Sequence, residues 1–199
     1  MKNPNHNNTI CATWKILCDD FLAMTFGTQQ PSIKKIIYSY LFRPGFRAVF
    51  LLRLSMLFQN KSKTISNLIT MHCFRSCGIE FTGELQCGSG LVFRHPVGTV
   101  INSNSIIGDN CSIGGSVTIG QKIPIFYSPD APIIGDNVTI GNGSTILGSV
   151  RIGNNVIIGA NSLIIHDIDN NSVVAGNPPR LICTYDDYVT KMGRSRTCG

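Results

Sequence analysis

Histidine is the residue type in this sequence that could act as an acid or base near neutral pH, because imidazole changes its charge there. The chain has four histidines. His6 lies in a polar stretch, His72 in an apolar stretch that favours a structural role, and His166 beside Asp167 at a predicted surface position. His95 lies next to an irregular step in an otherwise regular pattern. It is the candidate for general-base chemistry, and a surface histidine without a role is the alternative.

Eight cysteines are the other reactive groups. Cys73 and Cys77 are four residues apart, but no second pair follows at the spacing of a zinc site, and no HExxH motif is present. We therefore expect no catalytic metal. Residues 1–9 are polar and do not form the apolar part of a signal peptide, so we expect reduced thiols in a cytoplasmic protein. Cys87 and Cys111 fit positions of small buried hydrophobic residues.

A six-residue repeat dominates the chain from residue 78 onward. Each unit opens with an aliphatic residue, which Gly commonly follows, and has a small or branched residue at its fifth position. A fixed phase of this kind is the signature of a repeat architecture. The openings that fall at intervals of six are Ile101, Ile107, Ile113 and Ile119, and then Ile134, Ile140, Ile146, Ile152, Ile158 and Ile164.

The period predicts a parallel β-helix. Each unit forms one short strand and a turn, and three units close one triangular coil, so that the opening aliphatic residues of successive coils stack inwards. Gly and Asn accept the backbone angles of the tight turns. The pattern therefore predicts that Ile152 stacks on Ile134, and Ile158 on Ile140.

Two departures from the period mark candidate functional regions. A step of eight residues precedes Ile101, and a step of fifteen precedes Ile134. The longer step predicts that residues 121–132 leave the coil as an external loop, and long loops on a rigid scaffold are usually functional. His95 is the third residue of the unit that opens at Phe93, so its side chain is expected to point out of the coil.

The N-terminal part of the chain differs, with large apolar residues, few glycines, and Pro31 and Pro44 as breaks. Residues 1–84 contain ten Lys/Arg and four Asp/Glu, whereas the remainder contains seven of each. This basic segment suits a solvated helical face, or contact with anionic ligands or lipid head groups. The predicted helices cover 14–25, 32–42, 46–59 and 64–76.

The repeat and its flanks resemble the hexapeptide-repeat acyltransferases with a left-handed β-helix. Residues 90–120 (GLVFRHPVGTVINSNSIIGDNCSIGGSVTIG) are similar to serine acetyltransferases and to their paralogues that act on surface polysaccharides. Residues 43–49 (RPGFRAV) and 175–180 (AGNPPR) carry the same resemblance. It implies a mainly β fold, a left-handed parallel β-helix with an α-helical N-terminal segment. The expected domains are a helical segment over 1–77, the β-helix over 78–182 and a C-terminal tail over 183–199.

The resemblance also implies a chemistry, with acetyl-CoA as the acyl donor and no metal. His95 matches the general base that deprotonates the acceptor hydroxyl for attack on the thioester. Gly120 matches a glycine at the thioester end, and Lys122 and Arg180 are candidates for the phosphates or the adenine end of CoA. The family binds CoA between adjacent β-helices, so a homotrimer is expected, with further assembly through the N-terminal helices left open.

Two positions depart from the serine enzymes. Arg94 stands where those enzymes have Asp before the catalytic histidine, and Ala131-Pro132-Ile133 stands where they have a second histidine. Glu80 loosely matches an acceptor-site carboxylate, so Glu80 and Arg94 are the candidate acceptor-binding residues. A zwitterionic acceptor needs compensating charges at fixed places, and the two departures therefore favour a sugar hydroxyl over serine.

The leading hypothesis is an acetyl-CoA-dependent O-acetyltransferase that acts on a sugar hydroxyl of a capsular, exo- or lipopolysaccharide or its precursor. The alternative is serine O-acetylation in cysteine biosynthesis, and a non-catalytic β-helix that binds a partner is a lesser alternative. Nucleic acid is not an expected partner, because the repeats do not interleave aromatic and basic residues. The expected location is the cytoplasm, and peripheral contact with the inner face of a membrane is left open by the basic helices.

Overall fold

Four helices form the N-terminal part of the protein. The computed structural model describes residues 10–82, 84–122 and 130–195 of the 199-residue chain. Side chains of Ser32 and Ser62 accept hydrogen bonds from the backbone at the second and fourth helix starts, and Gly78 ends the fourth helix with left-handed backbone. All four predicted helices are present. Their bounds are α1 (Ile10–Met24), α2 (Ile33–Phe42), α3 (Pro44–Gln59) and α4 (Lys63–Cys77).

Short strands follow, each two to five residues long. The first six are β1 (Gln86–Cys87), β2 (Val92–Phe93), β3 (Val100–Ile101), β4 (Ile106–Ile107), β5 (Ser112–Ile113) and β6 (Thr118–Gly120). The next six are β7 (Ile133–Ile134), β8 (Thr139–Ile140), β9 (Thr145–Leu147), β10 (Arg151–Ile152), β11 (Ile157–Ile158) and β12 (Leu163–Ile164). The last elements are β13 (Ser172–Ala175), β14 (Arg180–Thr184) and α5 (Tyr185–Ser195), so the segment predicted as a tail contains a helix.

The strands form three parallel sheets, which are the faces of a triangular coil. Face A contains β3, β6, β9 and β12, face B contains β1, β4, β7 and β10, and face C contains β2, β5, β8 and β11, extended by β13 and β14. The chain visits B, C and A in turn, so each strand from β1 to β12 pairs with strands of neighbouring coils. We call the turns from face C to face A the C–A corner, and those from face A to face B the A–B corner. The predicted parallel β-helix is confirmed.

The core is the inward ladder that the period predicts. Ile152 pairs with Ile134, and Ile158 pairs with Ile140, and all four are buried. Burying each aliphatic side chain of this size contributes about 1.5–3 kcal/mol. Cys111 lies in the same core, where burial raises the pKa of its thiol to about 12. It therefore behaves as a small neutral hydrophobic residue, as expected.

The helices close one end of the coil. Side chains of α3 and α4, such as Leu52 and Cys73, belong to the same buried cluster as the isoleucine ladder. At the other end, β14 pairs antiparallel with β13, which ends the parallel stacking. The helical segment and the β-helix therefore share one continuous core.

The two irregular steps fall where the sequence places them. The eight-residue step widens the turn between β2 and β3, at the C–A corner. The predicted loop 121–132 follows β6 at the A–B corner, and its residues 123–129 lie outside the described part of the chain. Strand β7 pairs with β4 in the regular register. The coil thus resumes in phase after the insertion.

Candidate active site

His95 lies in the widened turn of the C–A corner, and its side chain is exposed. The N–H of Thr99 donates to the carbonyl of Pro96 at 3.1 Å and closes this turn. The turn of the next coil stacks on it, because the N–H of Ser116 donates to the carbonyl of Val97 at 3.0 Å. The predicted outward direction of His95 is thus observed on a turn that is bonded to its neighbour.

Gly115, in the next coil, lies directly against His95. A Cβ on Gly115 would collide with the carbonyl oxygen of His95 and would lie 3.1 Å from the Cβ of His95. The N–H of Gly115 donates to Oδ1 of Asn142 at 2.9 Å, which ties its turn to the coil beyond. Gly115 is not among the site residues expected from the sequence. The signal was available, since the units at 107, 134, 140 and 152 have Asp or Asn at the position that Gly115 occupies.

The start of α3 packs against the strand that leads to His95. Pro44 occupies the first turn of α3, where its missing N–H costs no hydrogen bond. A Cβ on Gly45 would overlap the carbonyl oxygen of Phe93 and would lie 3.9 Å from that of Arg94. The Pro-Gly pair of the motif at residues 43–49 therefore lets α3 approach the backbone just before His95.

An open groove of ≈ 630 Å³ runs along the C–A corner from His95. Successive coils contribute Ser116, Asn142 and Asn161 to its walls. Ser116 adopts left-handed backbone. The other non-glycine residues that have this conformation in turns of the coil are asparagines. Apart from His95, no side chain that lines the groove is ionisable. The groove therefore offers neutral hydrogen-bonding groups beside a potential base. Its remaining lining residues are Val97, Gly115, Gly143 and Ala160.

Arg94 lies on face C beside His95 and contacts the N-terminal helical segment. Its Nε donates to Oγ of Ser112 at 2.9 Å, and its guanidinium carbon lies 5.2 Å from the centre of the Phe26 ring. Within the described residues, no hydrogen bond uses the two terminal nitrogens of this guanidinium. Arg94 thus carries a fixed positive charge with spare donors next to the candidate base.

Phe26 was missed by the sequence analysis and has an unusual backbone. Its φ is 52°, and its side chain is 73% exposed. Left-handed backbone costs a residue with a Cβ about 1–2 kcal/mol. A cation–π contact at an exposed site stabilises the folded protein by about 0.5–1 kcal/mol. The contact with Arg94 therefore does not by itself account for a phenylalanine at this position.

Glu80 lies on the other side of the corner that carries His95. It pairs with Val100 at the start of face A, and its side chain is exposed. No hydrogen bond joins its carboxylate to His95 in the described part of the chain, so the structure provides no contact by which Glu80 would orient the imidazole. Glu80 and Arg94 instead place opposite charges on the two faces that meet at His95.

Gly120 and Lys122 lie at the A–B corner, away from His95. Apart from its chain neighbours, no described atom lies within 4 Å of the point where a Cβ on Gly120 would stand. The backbone of Gly120 does not have positive φ, so neither packing nor conformation requires glycine here. The open surface suits the close approach of a ligand. The Cβ of Lys122 lies 3.5 Å from the Cβ position of Gly148, so Lys122 covers the next turn of this corner.

The remaining candidates are separated from this region. Arg180 opens β14 at the far end of face C and is exposed. His166 is exposed in the last coil, and His72 is exposed on α4, so the expected structural role of His72 does not involve burial. His6 lies outside the described residues. The structure thus places Arg94 next to His95 in the chain and Glu80 on the adjoining face, and places the three cofactor candidates elsewhere.

A buried ion pair ties the helices to the first coil. Nε of Arg53 lies 2.9 Å from Oδ2 of Asp20, and both side chains are almost fully buried. The N–H of Leu91 donates to Oδ1 of Asp20 at 2.8 Å, and Arg53 donates to the carbonyl of Cys87 at 3.1 Å. Burial raises the pKa of Asp20, and the attraction of the guanidinium opposes that shift. This pair fixes α1 and α3 relative to the strands below His95.

Comparison with known proteins agrees with the repeat. Residues 131–166 match the family described as bacterial transferase hexapeptide (six repeats). A serine acetyltransferase of Synechococcus elongatus is 31% identical over 170 residues, which are 85% of this chain and 68% of the relative. A serine acetyltransferase of Staphylococcus epidermidis is 32% identical over 166 residues, 82% of this chain and 76% of the relative.

Solved structures show the same architecture. The serine acetyltransferase of Neisseria gonorrhoeae superposes with a TM-score of 0.77 at 28% identity and covers 88% of this chain. A serine acetyltransferase in complex with CoA gives a TM-score of 0.75 at 23% identity, which bears on the fold alone. The chain spans 66% of the Neisseria protein, and only 32% of each of two longer Arabidopsis thaliana serine acetyltransferases that it also matches.

Proposed function

The chain belongs to the serine acetyltransferase family of left-handed β-helix acyltransferases, and we propose that it transfers an acetyl group from acetyl-CoA to the hydroxyl of serine. The relatives favour serine, which the sequence analysis ranked second, over the sugar hydroxyl that it ranked first. The observation that carries the proposal is the exposed His95 at the head of a groove in a fold shared with these enzymes.

His95 is the general base in this proposal. The imidazole takes the proton of the acceptor hydroxyl while the oxygen attacks the thioester carbonyl of acetyl-CoA. The tetrahedral intermediate collapses by breaking the bond from carbon to sulfur. The imidazolium returns the proton to the leaving thiolate, so the products are the O-acetyl ester and CoA. Backbone N–H groups would stabilise the oxyanion of the intermediate.

The charges beside His95 suit a zwitterionic acceptor. In the sequence, Arg94 counts against serine, because the serine enzymes have an acidic residue there. Glu80, across the corner, supplies a negative charge that can face an ammonium, and Arg94 supplies donors for a carboxylate. The pair therefore offers both compensating charges that a free amino acid requires.

The proposed site for acetyl-CoA extends over two subunits. Ser116 lies at the groove and Gly120 at the other end of face A, four residues along the chain, a span of at most about 13 Å. We propose that a thioester at Gly120 of one subunit is too far from His95 of that subunit to react there. We therefore propose a homotrimer in which His95 of one subunit faces Gly120 of the next. Lys122 and Arg180 are the proposed contacts for the phosphates or the adenine end.

A sugar hydroxyl remains the second candidate acceptor. The specific observation in its favour is the uncharged lining of the groove, in which Ser116, Asn142 and Asn161 present hydrogen-bonding groups. The buried Ala131 and Pro132 also supply no polar side chain where the serine enzymes have their second histidine. Neutral groups of this kind suit a sugar, which carries hydroxyls and no fixed charge pair.

The deciding experiment offers acetyl-CoA together with L-serine or with a panel of saccharides. Thiol release and the acetylated product are followed separately, and a reaction without acceptor measures hydrolysis. We expect O-acetylserine to form with one thiol released for each ester. Turnover on a saccharide alone would promote the second candidate. Thiol release that no acceptor increases would contradict both.

For the location of the protein, we propose peripheral contact with an anionic membrane through α2. No helix within the described ranges is long and apolar enough to cross a bilayer. The outer side of α2 exposes Ile37, Tyr38, Leu41 and Phe42, and residues 21–79 contain eight Lys/Arg and no Asp/Glu. Apolar side chains flanked by basic ones suit anionic lipid. Sedimentation with vesicles that contain phosphatidylglycerol, but not with pure phosphatidylcholine, is the expected result, and equal sedimentation would contradict it.

A further inference from the structure

The Arg94 guanidinium has capacity for one more partner. Its Nε donates to Ser112, its central carbon lies 5.2 Å from the centre of the Phe26 ring, and the terminal nitrogens have no acceptor among the described residues. A guanidinium presents those two nitrogens as a planar fork that matches a carboxylate. With Nε and one face already engaged, the direction of the fork is restricted.

The turn that carries Phe26 is closed by hydrogen bonds to the last turns of α1. The N–H of Gly27 donates to the carbonyl of Leu22 at 2.8 Å, and Oγ1 of Thr25 donates to the carbonyl of Phe21 at 3.0 Å. Six residues before Phe26, Asp20 anchors α1 to the backbone of the first coil. The backbone of Phe26 is thus placed relative to the strand that leads to His95.

We propose that Phe26 is a specificity-determining residue, which holds the Arg94 guanidinium so that its terminal nitrogens bind an anionic group of the acceptor next to His95. Phe26 is a positioning residue here, since it acts through Arg94. The inference rests on the proposed acetyl transfer and narrows its acceptors to hydroxyl compounds that also carry a carboxylate. Such a carboxylate could belong to a free hydroxy amino acid or to an acidic sugar.

The first test replaces the ring without straining the backbone. Phe26→Gly places the residue that favours left-handed backbone at this position, so we expect the melting temperature not to fall. We expect KM for L-serine to rise about tenfold, the loss typical of one charge-assisted hydrogen bond. KM for acetyl-CoA and kcat should stay near their wild-type values, and Phe26→Tyr should restore KM for L-serine.

A matched control is Phe74→Ala. Phe74 is also an exposed phenylalanine of the helical segment, at 52% exposure, and it lies on α4. Its replacement should leave KM for L-serine unchanged. An equal rise in both variants would show that the helical segment acts through general stability, and would overturn the proposal.

A second test asks whether the ring acts through the guanidinium. Arg94→Ala should raise KM for L-serine at least as much as Phe26→Gly, and the double variant should be no worse than Arg94→Ala alone. Arg94→Lys should recover little, because an ammonium does not present the planar fork. Additive effects of Phe26→Gly and Arg94→Ala would contradict the proposal.

The acceptor class is tested with two pairs of compounds, L-serine against L-serinamide and glucuronate against glucose. Turnover is measured, and binding is followed in parallel by saturation-transfer NMR. In at least one pair, the wild-type protein should prefer the compound that carries a carboxylate, and Arg94→Ala should lose that preference. Preference for glucuronate without turnover of serine would refute serine as acceptor and keep this inference. No preference in either pair, by turnover or by binding, would refute the inference.

Discussion

Gly115 lies against the backbone of His95, so closely that a Cβ on Gly115 would collide with the carbonyl oxygen of His95. The two residues belong to adjacent coils of the same corner. The position of the proposed base is therefore set by its neighbour in the stack as well as by its own turn. A residue that touches no ligand can then control activity through the geometry of this turn.

We predict that Gly115→Ala lowers kcat by at least about tenfold, because the His95 turn must shift to admit the methyl group. The matched control is Gly153→Ala, whose Cβ would meet the backbone of Asn170 in a comparable way, 2.6 Å from its nitrogen, but at a corner remote from His95. Both variants should lose stability. Only Gly115→Ala should lose activity in protein shown to be folded by circular dichroism, and equal activities would contradict the role of the contact.

We predict that Arg53→Met destabilises the protein by about 3–5 kcal/mol, since it leaves the carboxylate of Asp20 buried without its partner. Lys63 and Glu84 provide the control, because their charges lie 3.8 Å apart with side chains 78% and 54% exposed. Lys63→Met should change stability by less than about 0.5 kcal/mol. Urea unfolding at one fixed protein concentration measures both, and similar losses would show that burial of the Arg53 pair has no special effect.

Cysteine reactivity should follow burial. The raised pKa of Cys111, about 12, keeps its thiol protonated at pH values below that, and the side chain is buried. Iodoacetamide near neutral pH should therefore modify the exposed Cys11 in the folded protein and leave Cys111 unmodified until urea is added. Mass spectrometry of peptides reads both sites in one sample. Equal modification of the two in the folded protein would contradict the packing described for the core.

The shared site predicts complementation between two inactive variants. His95→Ala removes the proposed base, and Gly120→Val obstructs the surface proposed for the thioester. A cyclic trimer that contains both kinds of subunit has one interface with an intact pair, so equal mixing should restore about a quarter of wild-type activity. The two variants are unfolded, mixed in equal amounts and refolded together before activity is measured, and each variant refolded alone is the control. No recovery in mixed trimers would show that each subunit contains its whole site.

The six-residue repeat predicted most of the fold and the position of His95. A fixed phase over ten isoleucine openings determines which residues face inwards, so the stacking of Ile152 on Ile134 could be predicted from the sequence. The contacts of Arg94 with Phe26 and of Arg53 with Asp20 could not. They depend on how α1 and α3 pack on the first coil, and no local pattern encodes that packing. The preference for a sugar acceptor rested on two departures, Arg94 and Ala131-Pro132-Ile133, and did not weigh the charge of Glu80 on the adjoining face against that of Arg94.

The most direct test of the account is the rate of O-acetylserine formation by His95→Ala and His95→Asn, measured with saturating acetyl-CoA and L-serine. Loss of a positioned general base should lower kcat by about 10²–10⁴-fold. The exposed side chain contributes little packing, so the melting temperature should stay near the wild-type value. His166→Ala, at an exposed histidine in the last coil, should retain full activity. Near-normal turnover by folded His95→Ala protein would contradict the central claim.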